Sequence, residues 1–407
     1  MLFHGRSRSL PGAALAALGL LAAGGPGLAA PALPAAPAPP AADPALVKAD
    51  NAFGRELFRR LRQGDPGRNL LVSPVSAAKA LQMTCNGAHG ATREGMARAL
   101  GIQDLQPDTL NAANRALLAA LVPDDEAVAL TVANSIWQEG AAVLPAFADT
   151  ARDAYGAELG DLAGGFQAVN DWMARQTHGL ITAVLDPAQP VGPQQLLLAN
   201  SVYFRATWSV TFDPGLTATV PFTRADGSQV PCHLMVQAGT LDYAETDRYQ
   251  AALLPYGKAR YAMLLVLPKA GAAFADLEPA LQGAPAGLGR RSVILRLPRF
   301  ATTFSSALDP HLKAMGMALA FDPDRADFSS LSPVHRFIES VAHATRVRVD
   351  EFGTLAGAGT VVSVSGTSLP DCELNLDHPF LYAILDRKTG EMICLGQLGD
   401  PSGDPMD

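Results

Sequence analysis

Apolar residues recur at helical spacing through the first third of the chain and fall into alternating or continuous runs after it. Between Ala45 and Leu61 they stand at Leu46, Phe53, Leu57, Phe58 and Leu61, which predicts a helix. Ser73-Pro74 opens a second helix over 73–81, with proline placed where its missing N–H leaves no bond unmade, and the apolar run continues to Met83. Phe147–Tyr155 and Phe166–Thr177 predict two more, the latter stopped by Gly179. Leu130–Trp137 reads as a strand, and Leu196–Tyr203 is an apolar run suited to a buried one. From Phe222 to Leu267 short strands alternate with turn residues, Asp226-Gly227 marking a hairpin. Val293–Leu297 and Phe337–Val349 are also strand-like, and residues 386–390 join two further strands, Phe380–Leu385 and Glu391–Leu398. There is no internal repeat and no mid-chain linker. A single α+β domain fits this order best.

One segment breaks the pattern expected of a connection. Gly353–Leu369 reads GTLAGAGTVVSVSGTSL, with no charge and no proline. Connections normally run exposed and polar, whereas this one is written like a central strand. Alternation puts Thr354, Ala356, Ala358, Thr360, Val362 and Val364 on one face, all small or β-branched, so that face can be buried without enclosing a charge. From this segment alone, an ordinary core strand is an equal alternative.

Composition adds a compartment. Arg6 and Arg8 precede an apolar run from Leu10 to Ala23, and Ala30-Pro31-Ala32 supplies small residues for cleavage. Residues 1–32 therefore read as a secretory signal, too short and too broken by glycine to span a bilayer. Residues 33–44 are an Ala/Pro-rich disordered spacer, 45–401 the single domain, and 402–407 a tail. The alanine bias favours a bacterial source, and the expected location is secreted or periplasmic. Removal of residues 1–32 takes away two arginines and no acid, so the net charge of −8 becomes −10, which argues against nucleic acid as a partner. Cys85, Cys232, Cys372 and Cys394 form no CxxC pair and neither require nor forbid a disulfide. No HExxH, phosphate-binding loop or dinucleotide-binding glycine motif is present.

Several short motifs, in order, resemble the serpin family over roughly Ala45 to Pro401. Leu374-Asn375-Leu376-Asp377-His378-Pro379-Phe380-Leu381-Tyr382-Ala383-Ile384 fits the family's C-terminal signature throughout. Asn200-Ser201-Val202-Tyr203-Phe204 with Trp208 and Phe212 resembles its central strand. Ser73-Pro74-Val75-Ser76, preceded by Asn69, resembles the entry to its second helix. Leu297-Pro298-Arg299-Phe300, Met315-Gly316-Met317 with Phe321-Asp322, and His343–Thr354 are also family-like.

The resemblance implies an α+β fold of three β-sheets and eight or nine helices, with an exposed reactive loop at about 351–371. It implies a suicide-substrate inhibitor of serine proteases and not an enzyme. The loop is cleaved to an acyl-enzyme and then inserts as a strand into the central sheet, distorting the protease before water can release it. Glu351, Gly353, Thr354, Ala356, Gly357, Ala358 and Gly359 would form the hinge, small enough to insert quickly. Ser73, Ser76, Asn200 and His343 would form a polar shutter beneath the sheet, and Trp208 would lie at the breach where insertion starts. Phe352 departs from the family, which often has a second acid there, as does Arg205-Ala206 where Lys-Gly is usual. Counting from Gly353 puts the reactive bond at Thr367-Ser368, with Ser368-Leu369 as the alternative register. Either presents a small uncharged side chain, which suits elastase-like or subtilisin-like pockets and leaves a trypsin-like pocket's acid unpaired. The implied partner is a serine protease held covalently by a monomer, with no cofactor, metal, membrane or nucleic acid. Thr109–Leu121 carries only Arg115 as a base, too little for a heparin site.

Two other classes remain. A non-inhibitory serpin acting as carrier, chaperone or plain protease substrate would be expected to have a bulkier or charged hinge. Ser76-Ala77-Ala78-Lys79 and Lys388-Thr389-Gly390 spell the SxxK and KTG elements of penicillin-binding hydrolases, but the middle SDN element is missing and the KTG falls where a turn is expected.

Overall fold

The computed structural model describes residues 41–63, 67–140, 143–190, 192, 194–283, 285, 287–354 and 370–403. The signal segment 1–32, most of the 33–44 spacer, Ala356, Gly357, Ala358, Gly359, Thr367 and Ser368 lie outside the described residues. The first half of the chain runs α1 (Pro44–Gln63), β1 (Leu70–Val72), α2 (Pro74–Gly87), α3 (Gly90–Leu100), α4 (Pro107–Ala120), β2 (Val128–Gln138), α5 (Pro145–Tyr155), β3 (Glu158–Asp161), α6 (Gln167–Gln176) and β4 (Gln195–Thr207). Then come β5 (Ala218–Thr223), β6 (Gln229–Glu245), β7 (Tyr249–Pro255), β8 (Tyr261–Pro268), α7 (Glu278–Leu281), β9 (Gly289–Pro298), β10 (Phe300–Ala307) and α8 (Asp309–Leu312). The chain closes with β11 (Phe337–Asp350), β12 (Gly353–Thr354), β13 (Cys372–Asn375), β14 (Phe380–Asp386) and β15 (Met392–Leu398).

Local chemistry explains the helices that position the site. In α1, Leu46, Phe53, Leu57, Phe58 and Leu61 form the buried stripe read from their spacing. The Ser73 hydroxyl caps α2 by accepting from the Ser76 N–H at 3.3 Å, and Pro74 fills the first turn. α2 is buried on nearly every side and forms the centre of the molecule. It crosses close to α1 at Gly54, where a Cβ would lie 2.2 Å from Pro74 Cβ.

The strands form two hydrogen-bonded networks among the described residues. The first runs β10-β11-β12-β4-β2-β3. Its inner face packs on the main core through Ile136, Leu196, Leu198, Val202, Phe204 and Val347. Its outer face carries small residues, Ala133, Ala199, Ala342 and Ala344, beneath Val169, Trp172 and Met173 of α6. The second network runs β1-β15-β14-β8-β7-β6-β9-β13, with β5 paired on β6. It is two sheets joined through the 17-residue β6, whose first part pairs with β5 and whose last part pairs with β7. The expected three sheets are therefore present, two of them sharing one strand. The strands read from the sequence lie where expected, including the 386–390 turn between β14 and β15. That hairpin is buried, and Asn69 ties down its end by accepting from the N–H groups of Gly399 and Asp400 at 2.8 and 2.9 Å.

Candidate functional site

The odd segment begins where two strands of the first sheet part. β4 and β11 run parallel and pair directly from Gln195–Phe337 up to Val202–Thr345. Among the described residues their mutual pairing stops there. Higher up, the chain turns back after Asp350, and β12 enters between them. Gly353 pairs with Asp350 and Thr207, and Thr354 with Val349 and Ala206, antiparallel on both sides. Gly353 is required by close approach, since a Cβ there would meet the Ala206 carbonyl oxygen at 2.0 Å. Thr354 is fully buried, and its hydroxyl lies 2.6 Å from the Tyr256 hydroxyl. Gly353 and Thr354 are thus strand, and Thr354 lies on the face that the alternation assigns to burial.

A ring of side chains holds this entry in place. The Trp208 indole N–H donates to the Asp350 carbonyl at 2.9 Å, its backbone N–H donates to Phe352 O at 2.9 Å, and its ring stacks on Tyr256 at 4.3 Å. Glu351 accepts from the Arg299 Nε at 2.8 Å, from its Nη2 at 2.5 Å, and from the Thr217 hydroxyl at 2.6 Å. Burial pushes the Glu351 carboxyl up, but the Arg299 and Thr217 bonds outweigh it and leave it below the usual carboxylate range. Asp350 is raised by burial, although its Oδ1 accepts from the N–H groups of Phe352 and Gly353 at 3.0 and 3.3 Å and so shapes the turn.

Lower in the same seam the structure brings Ser73, Ser76, Asn200 and His343 together, all fully buried. The Ser73 N–H donates to His343 Nε2 at 3.1 Å. That fixes the tautomer, with the ring proton on Nδ1 facing Asn200 Oδ1 at 2.5 Å. The Ser76 hydroxyl donates to the same oxygen at 3.1 Å. Asn200 and His343 are register partners on β4 and β11, so their bond lies across the strands that must separate for another strand to enter. Burial lowers the His343 pKa from 6.5 to about 3, so the imidazole is neutral throughout the physiological range.

The hydrolase constellation is not formed. Ser76 is engaged with Asn200, while Lys79 is fully buried and bonded to Asp50 and Gln82. Thr389 donates to Asp386 Oδ2 at 3.0 Å within the turn, as the sequence reading expected of a turn residue. Arg115, the base of α4, donates to the Asp153 carbonyl at 3.0 Å. All four cysteines are free. Among the described residues no three or more His, Cys, Asp or Glu are grouped to hold a metal, and no helix is long and apolar enough to cross a membrane. Sequence reasoning missed Tyr256 and Asn134 and gave Arg299 no role. Tyr256 and Arg299 come from segments remote in the chain, which no local pattern connects to the hinge. Asn134 had a legible signal, an amide in the middle of an apolar strand.

The family profile described as "Serpin (serine protease inhibitor)" matches residues 48–401. Serpin B8 of Homo sapiens is 31% identical over 373 residues, covering 88% of this chain and 99% of that protein. The fold is similar to tengpin, a thermophilic serpin solved in its native state, with a TM-score of 0.79 and 28% identity, covering 89% of this chain and 96% of that one. It is also similar to human thyroxine-binding globulin complexed with thyroxine, with a TM-score of 0.78 and 24% identity over 88% of this chain and 98% of the other.

Proposed function

This chain belongs to the serpin family of protease inhibitors and is not an enzyme, and from that premise we propose that it is an inhibitory member that traps a serine protease covalently. One observation carries the reading. Gly353 and Thr354 are already strand, buried between β11 and β4 and antiparallel to both, while the seam below them is closed. The next residues of the segment are small, uncharged and alternate correctly to extend that strand. The protease serine attacks the Thr367 carbonyl, forming an ester and releasing the Ser368 amine. The freed segment then zips down the seam between β4 and β11. If the β12 register continues, Thr360 arrives between Asn200 and His343, a hydroxyl at a polar row of the inner face.

The rival reading is a non-inhibitory carrier; the similar fold of thyroxine-binding globulin was solved complexed with thyroxine. A carrier role has one feature in its favour, a cavity of about 540 Å³ lined by Val47, Arg55, Leu264, Leu281, Arg387 and Met392 among others. The small, uncharged residues from Gly353 onward and the seated Gly353 and Thr354 favour inhibition. We further propose elastase-like or subtilisin-like targets, action as a monomer, and a secreted or periplasmic location, the last resting on residues 1–32. The test is incubation with such proteases followed by denaturing electrophoresis. An SDS-stable complex is expected, with the released peptide beginning at Ser368. Cleavage by every responsive protease without a complex would leave a substrate or carrier as the better reading.

A further inference from the structure

Asn134 lies in β2 directly opposite Asn200 in the antiparallel register, and is 1% exposed. Asn200 in turn stands opposite His343. The three residues form one row across β2, β4 and β11, on the face that Ile136 and Val202 share with the main core. Asn200 is bonded to His343 and Ser76. Among the described residues, neither the amide nitrogen nor the carbonyl oxygen of Asn134 has a hydrogen-bond partner. A buried amide without partners has lost its hydration with nothing in exchange, so it works against the closed sheet.

Strand insertion treats the two sides of β4 differently. The β2–β4 ladder, continuous from Val128–Ala206 to Gln138–Leu196, stays intact. The β4–β11 ladder must open, and that takes His343 away from Asn200. Directly opposite residues have Cβ atoms about 5 Å apart, within reach for two amide side chains. We propose that Asn134 is a positioning residue that takes over Asn200 when β4 and β11 part, replacing on one side of the strand the bond lost on the other. Its N–H donates to Asn200 Oδ1 in the opened sheet and to nothing in the closed one. The residue thereby destabilises the starting state and stabilises the product of insertion. This rests on the strand-insertion reading above.

The experiment compares thermal unfolding of the full chain intact and after limited proteolysis within 355–369, for the wild type, Asn134→Leu and Asn134→Ser. The wild type must first gain stability on cleavage; if it does not, insertion itself is wrong, whatever Asn134 does. Given that gain, Asn134→Leu raises the midpoint of the intact form and lowers that of the cleaved form, each by roughly 2–4 °C. Shifts of the same sign and size in both forms, or none, would mark Asn134 as merely structural and overturn the proposal. Asn134→Ser, smaller and still polar, serves if the leucine variant does not fold, and must narrow the same gap. A double-mutant cycle with Asn200→Ala gives the second readout. Coupling between positions 134 and 200 is expected in the cleaved form alone, and additivity in both forms contradicts the idea.

Discussion

The upper and lower halves of one seam are built on opposite principles. Below Val202 and Thr345, β4 and β11 bond directly to each other, and the Asn200–His343 pair locks them from beneath. Above that point the strands have parted around Gly353 and Thr354, and the gap is dressed with large side chains, Trp208, Tyr256, Phe212 and the Arg299–Glu351 pair. A strand entering from above meets no β4–β11 ladder until Val202 and Thr345, two residues above the polar row. On the proposed insertion mechanism the difference teaches where opening would begin and what would resist it: the upper half would guide the first residues, and the lower half would set the barrier.

The comparison breaks most severely if the guided residues cannot be buried. Thr354→Arg would force a charge into a fully enclosed position facing Tyr256, at a penalty of several kcal/mol. Because Thr354 is seated before any cleavage, the variant should expel β12 and lower the native midpoint, and should also abolish complex formation while the loop is still cut. A gel in which Thr354→Arg traps protease as well as the wild type would remove the guiding role. Next in size is the buried ion pair. Arg299→Ala leaves Glu351 uncompensated, and urea titration should show a loss of about 3 kcal/mol. A loss no greater than an exposed pair gives would mean that the pair does not hold the turn.

The lower half is tested by pH. Above pH 6.5 the His343 ring is neutral folded or unfolded, so stability does not change on its account. Below pH 6.5 the unfolded chain takes up a proton that the buried ring refuses until about pH 3, and the native state loses about 1.4 kcal/mol per pH unit in that window. His343→Gln should flatten this slope between pH 6 and 4, and an unchanged slope would assign it to other groups. The smallest effect belongs to Trp208→Phe. It keeps the ring against Tyr256 but removes one bond to Asp350, at a cost of about 1 kcal/mol, read as faster spontaneous loss of inhibitory activity on warming.

The sequence was most informative where one element carries the whole signal. The α1 stripe, the Ser73-Pro74 entry and the charge-free 353–369 segment each follow from local pattern; the α+β class followed from the order of such patterns along the chain, and the three-sheet fold only from the motif resemblance. The shutter residues were nameable only through a motif resemblance, because Ser73, Asn200 and His343 are far apart in the chain and no periodicity links them. That Gly353 and Thr354 are already paired was not legible at all. It depends on how far β4 and β11 diverge, which is set by Trp208, Tyr256 and Arg299 arriving from three separate segments.

On the insertion mechanism, the open part of the seam must accept a strand. Hydrogen exchange of the intact and loop-cleaved chain measures this directly at residues 203–205 of β4 and 346–348 of β11, which lie between the last β4–β11 pair and β12. Their seam-facing amides should exchange readily in the intact molecule and become strongly protected after cleavage within 355–369, with protection extending down past Asn200 and His343. Unchanged exchange at these positions in the cleaved chain would contradict strand insertion.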